Sequence, residues 1–167
     1  MNAPAGKTRA FVALGANIGE PVTHLRAAVE DLAALPGTTV VARSSLYRSA
    51  PVGLVNQPDF INAVVALDTT LTPLALLRHL LAIEARHGRV RSIPNAPRTL
   101  DLDLLLHGGT VMHDAELILP HPRMHQRAFV LQPLLEIDGE ASVPGLGPAR
   151  HFLPSVADQP IAVFEPL

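Results

Sequence analysis

Thr99-Leu-Asp-Leu-Asp-Leu-Leu-Leu-His107 is the stretch that decides how the rest of the chain is read. Its alternation predicts a strand with Leu100, Leu102, Leu104 and Leu106 facing a core and Thr99, Asp101 and Asp103 facing the other way. Aspartate is disfavoured in strands, so two at alternate positions need a reason. Their carboxylates stand about 6 to 7 Å apart along a strand. At an effective dielectric of about 20 they repel by about 2 to 3 kcal/mol, so a site that keeps both ionised needs cations. Magnesium suits two carboxylates when a polyphosphate completes its shell. The competing reading is an exposed strand face with solvated aspartates; the leucine-rich setting favours the metal.

Outward from this strand, Ala10 to Leu14 is an apolar run ending at Gly15 and predicts a buried strand and a turn. Pro21, Val22, Leu25, Val29, Leu32 and Leu35 recur at helical spacing until Pro36-Gly37. Thr38 to Arg48 is rich in Thr, Val and Ser and predicts one extended strand, followed by a proline-rich loop from Ser49 to Pro58. Phe60 to Asp68 alternates, with Phe60, Asn62, Val64 and Ala66 on one face. Thr72-Pro73 caps a second helix that carries Leu74, Leu77, Leu80, Leu81 and Glu84 on roughly one side and ends near Gly88. Arg89 to Pro97 reads as a loop. Beyond His107 the pattern weakens: a short strand at Leu117 to Leu119, helical turns from Met124 to Leu135 interrupted by Pro133, and a loop-rich stretch from 139 to 167. Strand, helix, strand, strand, helix, strand is the order of a ferredoxin-like split βαβ core, an α+β fold with two helices on one face of a mainly antiparallel sheet. Residues 1–9 are expected to be a flexible tail and 10–167 a single domain.

Composition removes whole classes of function. With 48% apolar and 17% charged residues the chain is not disordered. It has no cysteine, hence no thiolate chemistry and no Cys-type zinc site. Lys7 is the only lysine, so neither a P-loop nor a buried Schiff-base lysine can be built. A net charge of −2 lacks the broad positive field of a nucleic-acid binder. No apolar run is long enough to span a bilayer, and Met1 to Arg9 lacks the apolar stretch of a secretory signal, so a cytoplasmic location is expected.

The other basic residues are all arginines, and Arg86, Arg89, Arg91 and Arg98 cluster just before the aspartate strand. Their forks match phosphate oxygens, although a solvated basic loop is the commoner meaning of such a run. His121 sits between Pro120 and Pro122, near Arg127 and Phe129, and could meet a phosphate or a ribose. Phe60 and Asn62 share a strand face, which lets a flat heterocycle stack on the ring while the amide reads its edge. Simple core filling by Phe60 and Phe129 is the alternative.

Taken together, Leu14-Gly-Ala-Asn17, Ser44-Ser-Leu-Tyr-Arg48, Gln57-Pro-Asp-Phe-Ile-Asn62, Gly88-Arg-Val-Arg91, Pro97-Arg-Thr-Leu-Asp-Leu-Asp103, Leu119-Pro-His-Pro122 and Arg127-Ala-Phe129 resemble the 6-hydroxymethyl-7,8-dihydropterin pyrophosphokinases of folate biosynthesis. The resemblance implies transfer of the β,γ-diphosphate of ATP to the pterin hydroxymethyl group, leaving AMP, on a three-layer αβα sandwich with a ferredoxin-like core. It implies that Asp101 and Asp103 bind two magnesium ions and that Arg89 and Arg98 reach the phosphates, these four forming the catalytic set. Phe60, Phe129, Asn62, Ser49 and Val52 would hold the pterin, and Glu84, Arg91, Leu104, His121 and Arg127 would line the nucleotide site. The expected partners are therefore small molecules, ATP and the pterin alcohol, with no nucleic acid and no membrane, and a monomer is expected. The chain departs from the family pattern at Ser92 to Ala96, a shorter loop without charge or ring. It also departs at Phe60, where tyrosine is familiar, at Pro122, where an aromatic residue can stand, and at Glu116 and Ile118, which replace polar or basic residues.

Two other readings share these residues. Paired aspartates on a ferredoxin-like sheet also suit magnesium-dependent nucleotidyl transfer, which the balanced charge disfavours. A ligand-sensing domain of the same architecture has no need for Asp101 and Asp103 together.

Overall fold

Phe60–Thr69 forms a strand in which every residue from Ile61 onward is buried, as happens when a strand is covered on both faces. The computed structural model, which describes residues 3–51, 56–88 and 99–167, builds the molecule around it. In chain order the elements are β1 (Thr8–Ala16), α1 (Pro21–Ala33), β2 (Thr38–Arg43), β3 (Ser45–Ser49), β4 (Phe60–Thr69), α2 (Pro73–Arg86) and β5 (Asp101–His107). Two short strands, β6 (Met112–His113) and β7 (Ile118–Leu119), lead to a 3₁₀ turn at Met124–Gln126 and to α3 (Ala128–Ile137). A second short pair, β8 (Ser142–Val143) and β9 (Gly147–Pro148), precedes a 3₁₀ segment at Ala149–Val156 and the last strand, β10 (Ile161–Pro166).

The main sheet has the order β10-β3-β4-β1-β5, with β2 also on β4, and every pairing is antiparallel. One face carries α1 and α2 over Ala10, Val12, Leu14, Ala63, Val65 and Leu67. The other carries α3 and the 3₁₀ segment over Phe11, Val64 and Ala66. This is the expected α+β, ferredoxin-like sandwich, and the period of two in β1 and β4 is what feeds both layers. Thr72 caps α2 by accepting from the Ala75 N–H at 3.2 Å. Gly37, at φ +56°, turns α1 into β2 so tightly that a Cβ there would stand 2.1 Å from the Thr70 hydroxyl.

Several expectations are corrected. Thr38 to Arg48 is two strands, because Ser44 substitutes its side chain for its own carbonyl: its N–H donates to Val64 O and its hydroxyl accepts from Val64 N–H, both at 2.9 Å. Leu106 does not share a face with Leu100, Leu102 and Leu104. The β1–β5 register shifts between Phe11 and Val12, and this bulge sends Leu105 and Leu106 to the α3 layer. β1 starts at Thr8, inside the stretch expected to be a tail, since Arg9 makes a two-pronged ion pair with its cross-strand partner Asp68. α3 runs through Pro133, which is buried in it; packing of its apolar residues onto the sheet outweighs the lost hydrogen bond. The stretch from 139 contributes β10, an edge strand of the main sheet.

The C-terminal end of α3 is tied to the sheet by Glu136. Its carboxylate accepts from the Tyr47 hydroxyl at 2.6 Å and from the N–H and hydroxyl of Ser45 at 3.0 Å. Burial pushes the Tyr47 hydroxyl pKa up, and the bond to Glu136 adds to that. For Glu136 burial opposes the charge, but the bonds from Tyr47 and Ser45 outweigh it and hold the carboxyl below the ordinary value of 4.5. A carboxyl so depressed contributes stability that is fully present above the unfolded-state pKa and is lost as pH falls through the folded one. Tyr47→Phe is expected to lower unfolding stability at pH 7 by about 1 to 2 kcal/mol. In urea titrations the gap from the unaltered protein should narrow once the pH drops below the carboxylate range.

Candidate active site

Strand register brings the site together. Asn62 on β4 stands opposite Gly15 on β1, and Gly15 stands opposite Asp101 on β5; Ala13 stands opposite Asp103. These residues face the α3 layer, and with His121, Arg127 and Phe129 they line one cavity of about 920 Å³. That volume lies at the upper end of what small-molecule sites enclose. Ser49, Ala50, Phe60, Pro122, Arg123, Gln126 and Gln159 complete its wall. A shallower depression of about 450 Å³ along Val40 to Ser45 carries one carboxylate, Glu136, which Ser45 and Tyr47 already engage.

At one end of the cavity Asn62 is almost wholly buried and donates from Nδ2 to the Ser49 hydroxyl at 2.7 Å. That bond fixes the amide orientation and turns Oδ1 over Gly15, where a Cβ would lie 3.3 Å from it. A side chain at residue 15 would therefore crowd this amide oxygen. Phe60 and Phe129 both line the cavity, and the Arg127 guanidinium lies 5.4 Å from the Phe129 ring centroid. Asn17, at the end of β1, donates to Gln57 Oε1 at 2.8 Å and to Pro58 O at 3.0 Å, which anchors the chain just before Phe60.

At the other end Asp101 and Asp103 project from β5, each half-buried. Beneath them the buried Glu84 of α2 accepts from the N–H of Leu102 at 2.7 Å, on the opposite face of the strand. The bulge turns the Leu105 carbonyl toward the His121 N–H, which donates to it at 2.9 Å. The Nδ1 atom of His121 accepts from the Arg123 N–H at 3.2 Å, which leaves the proton on Nε2. Burial first, then the positive charges of Arg127 and Arg123, pull the imidazole down to about 4, against the opposing pull of Asp101.

Of the residues the sequence singles out, Ser49, Phe60, Asn62, Asp101, Asp103, His121, Arg127 and Phe129 meet in this cavity. Glu84 and Leu104 do not line it; they lie in the α1 and α2 layer behind β5. Val52, Arg89, Arg91 and Arg98 fall outside the described residues. Sequence reasoning missed Arg123, Gln126 and Gln159. The first two lie between quoted motifs, whereas Gln159 has no local pattern that marks it.

The chain is similar over residues 11–139 to the family described as 7,8-dihydro-6-hydroxymethylpterin-pyrophosphokinase. A 2-amino-4-hydroxy-6-hydroxymethyldihydropteridine pyrophosphokinase of Methylorubrum extorquens is 49% identical over 138 residues, covering 83% of this chain and 87% of that one. Its counterpart in Pseudomonas aeruginosa is 45% identical over 159 residues, covering 95% and 96%. The crystal structure of wild-type Plasmodium falciparum HPPK-DHPS with STZ-DHP matches with a TM-score of 0.71 at 13% identity, a likeness of fold that covers 89% of this chain and 43% of that one. The chain belongs to the 7,8-dihydro-6-hydroxymethylpterin-pyrophosphokinase family.

Proposed function

We propose that this cavity transfers the β,γ-diphosphate of ATP to the hydroxymethyl group of 6-hydroxymethyl-7,8-dihydropterin and releases AMP, with Asp101 and Asp103 as magnesium ligands. Pyrophosphoryl transfer to hydroxymethyldihydropterin in folate biosynthesis, with ATP as co-substrate, is the reaction of the family. The observation that carries the residue assignment is that a paired-aspartate end and an aromatic and amide end share one cavity.

The donor set fits magnesium. Among the described residues no cluster of three or more His, Cys, Asp or Glu could cage a metal, and two aspartates on alternate strand positions suit an ion that takes its other ligands from water and phosphate. When bound, magnesium supplies neutralisation of the triphosphate and a lowered pKa for the attacking hydroxyl. Phe60 and Phe129 stack the pterin from either side, and Asn62 presents Oδ1 to its N–H edge. His121, neutral and protonated on Nε2, donates to a phosphate oxygen; its occupied Nδ1 and low pKa make it a poor base. Arg127 adds a fixed positive charge, and Arg89, Arg91 and Arg98 are assigned to the phosphates on sequence grounds. Glu84 serves from behind by holding the Leu102 N–H between the two aspartates. The hydroxymethyl oxygen attacks the β-phosphorus as its proton passes to water, the bond from that phosphorus to the α,β-bridging oxygen breaks so that this oxygen leaves on AMP, and positioning with charge neutralisation carries the rate.

Incubation with ATP, magnesium and the reduced pterin alcohol should yield AMP and the pterin diphosphate. Asp101→Asn and Asp103→Asn should each lower kcat by about 10² to 10³-fold, the scale for losing one group that stabilises developing charge. ADP as product, or full activity in both variants, would overturn the assignment. For His121 the ring should titrate near pH 4 by NMR, and Arg127→Met should move it back up. Because the unfolded chain takes up this proton first, near pH 6.5, stability should fall between about pH 6.5 and 4. His121→Asn should flatten that part of the urea-midpoint profile.

A further inference from the structure

We propose that Gln159, in the turn before β10, is a positioning residue for the pterin end of the site, acting through Phe129. This rests on the function proposed above. The helix α3, from whose first turn Phe129 projects, has no side-chain cap of its own: Arg127 holds the capping position with extended backbone, φ −128° and ψ 115°, and its side chain makes no cap bond. The first N–H groups of a helix have no partner inside it and need one from elsewhere. Here the partner comes from 31 residues away, where Gln159 Oε1 accepts from the Ala128 N–H at 2.8 Å.

The other end of the same amide is also used. Gln159 Nε2 donates to the carbonyl of Gln126 at 2.9 Å, the last residue of the 3₁₀ turn. A single side chain therefore spans the joint Gln126-Arg127-Ala128 and fixes the one residue between its two contacts. The chemistry leaves no choice of orientation, since an N–H must meet the amide oxygen and a carbonyl must meet the amide nitrogen. Glutamate could satisfy only the first, and an apolar side chain neither. Gln159 also lines the cavity itself, and it lies beyond residues 11–139, over which the family is matched. A segment outside that match thus sets the angle at which Phe129 enters the cavity and at which Arg127 lies against its ring.

The test compares Gln159→Met and Gln159→Glu, alone and combined with Phe129→Ala, by pterin fluorescence titration and steady-state kinetics. Gln159→Met should raise the Kd and KM for the pterin alcohol about tenfold while kcat at saturation changes less than threefold. Gln159→Glu keeps the acceptor for Ala128 and should show a smaller rise, about threefold. In the Phe129→Ala background neither substitution should weaken pterin binding further, because residues that act through one another are not additive. Losses that add in full to those of Phe129→Ala, or unchanged pterin binding in a folded variant, would overturn the proposal. If Gln159→Met fails to fold, Gln159→Glu decides by the same two criteria. If the unaltered protein makes no AMP, it is the proposed function that fails.

Discussion

The register that sets Asn62, Gly15 and Asp101 abreast on β4, β1 and β5 is the constraint on which the rest depends. Side chains alternate faces along a strand, so a slip by one residue in either ladder would turn the aspartates or the asparagine into the opposite helical layer. The two layers of core enforce the register. Ala10, Val12 and Leu14 pack into the layer of α1 and α2, and Phe11 into that of α3. The bidentate Arg9–Asp68 pair locks the far end of the same ladder with both side chains nearly buried. Removing one partner would leave an uncompensated charge, so the pair penalises misalignment more than it adds net stability.

Upon that frame, the layer holding Phe129 and Arg127 is attached at two points of different character. At the C-terminal end of α3 a charged acceptor, Glu136, gathers three donors from β3. At the N-terminal end a neutral amide bridges the helix and the preceding turn. The aspartate end of the site is held otherwise, by backbone: a bulge in β5 that turns the Leu105 carbonyl to His121, and a glutamate that takes the Leu102 N–H. The aspartate end of the cavity is thus held by strand backbone, whereas the Phe60 and Asn62 end combines strand β4 with a residue of the docked helix α3.

What the sequence made legible was what local period can express. Asp101 and Asp103 among leucines, and Phe60 with Asn62, declare their face by alternation, and the structure has both pairs lining one cavity. Leu104-Leu105-Leu106 cannot declare a bulge, because three identical apolar residues read the same in either register. Ser44 hid the break between β2 and β3, since a hydroxyl standing in for a carbonyl leaves no mark on periodicity. β10 was missed because Val163 and Phe164 stay exposed on an edge strand, so no buried stripe marks it. Gln159 was missed because its partners lie far off in sequence. Such contacts are products of tertiary assembly.

The pairing of residue 15 with residue 101 joins segments separated by more than half the chain. Contacts of such long sequence separation form late, since the loop entropy must be overcome before they return anything. β5, which carries Asp101 and Asp103, is thus joined to the sheet only through contacts distant in sequence. The cavity that Asp101 and Asp103 line with Asn62 and Phe60 is therefore complete only when this long-range pairing is made. A molecule in which that pairing is lost has the two aspartates detached from the rest of the cavity, however intact its helices remain.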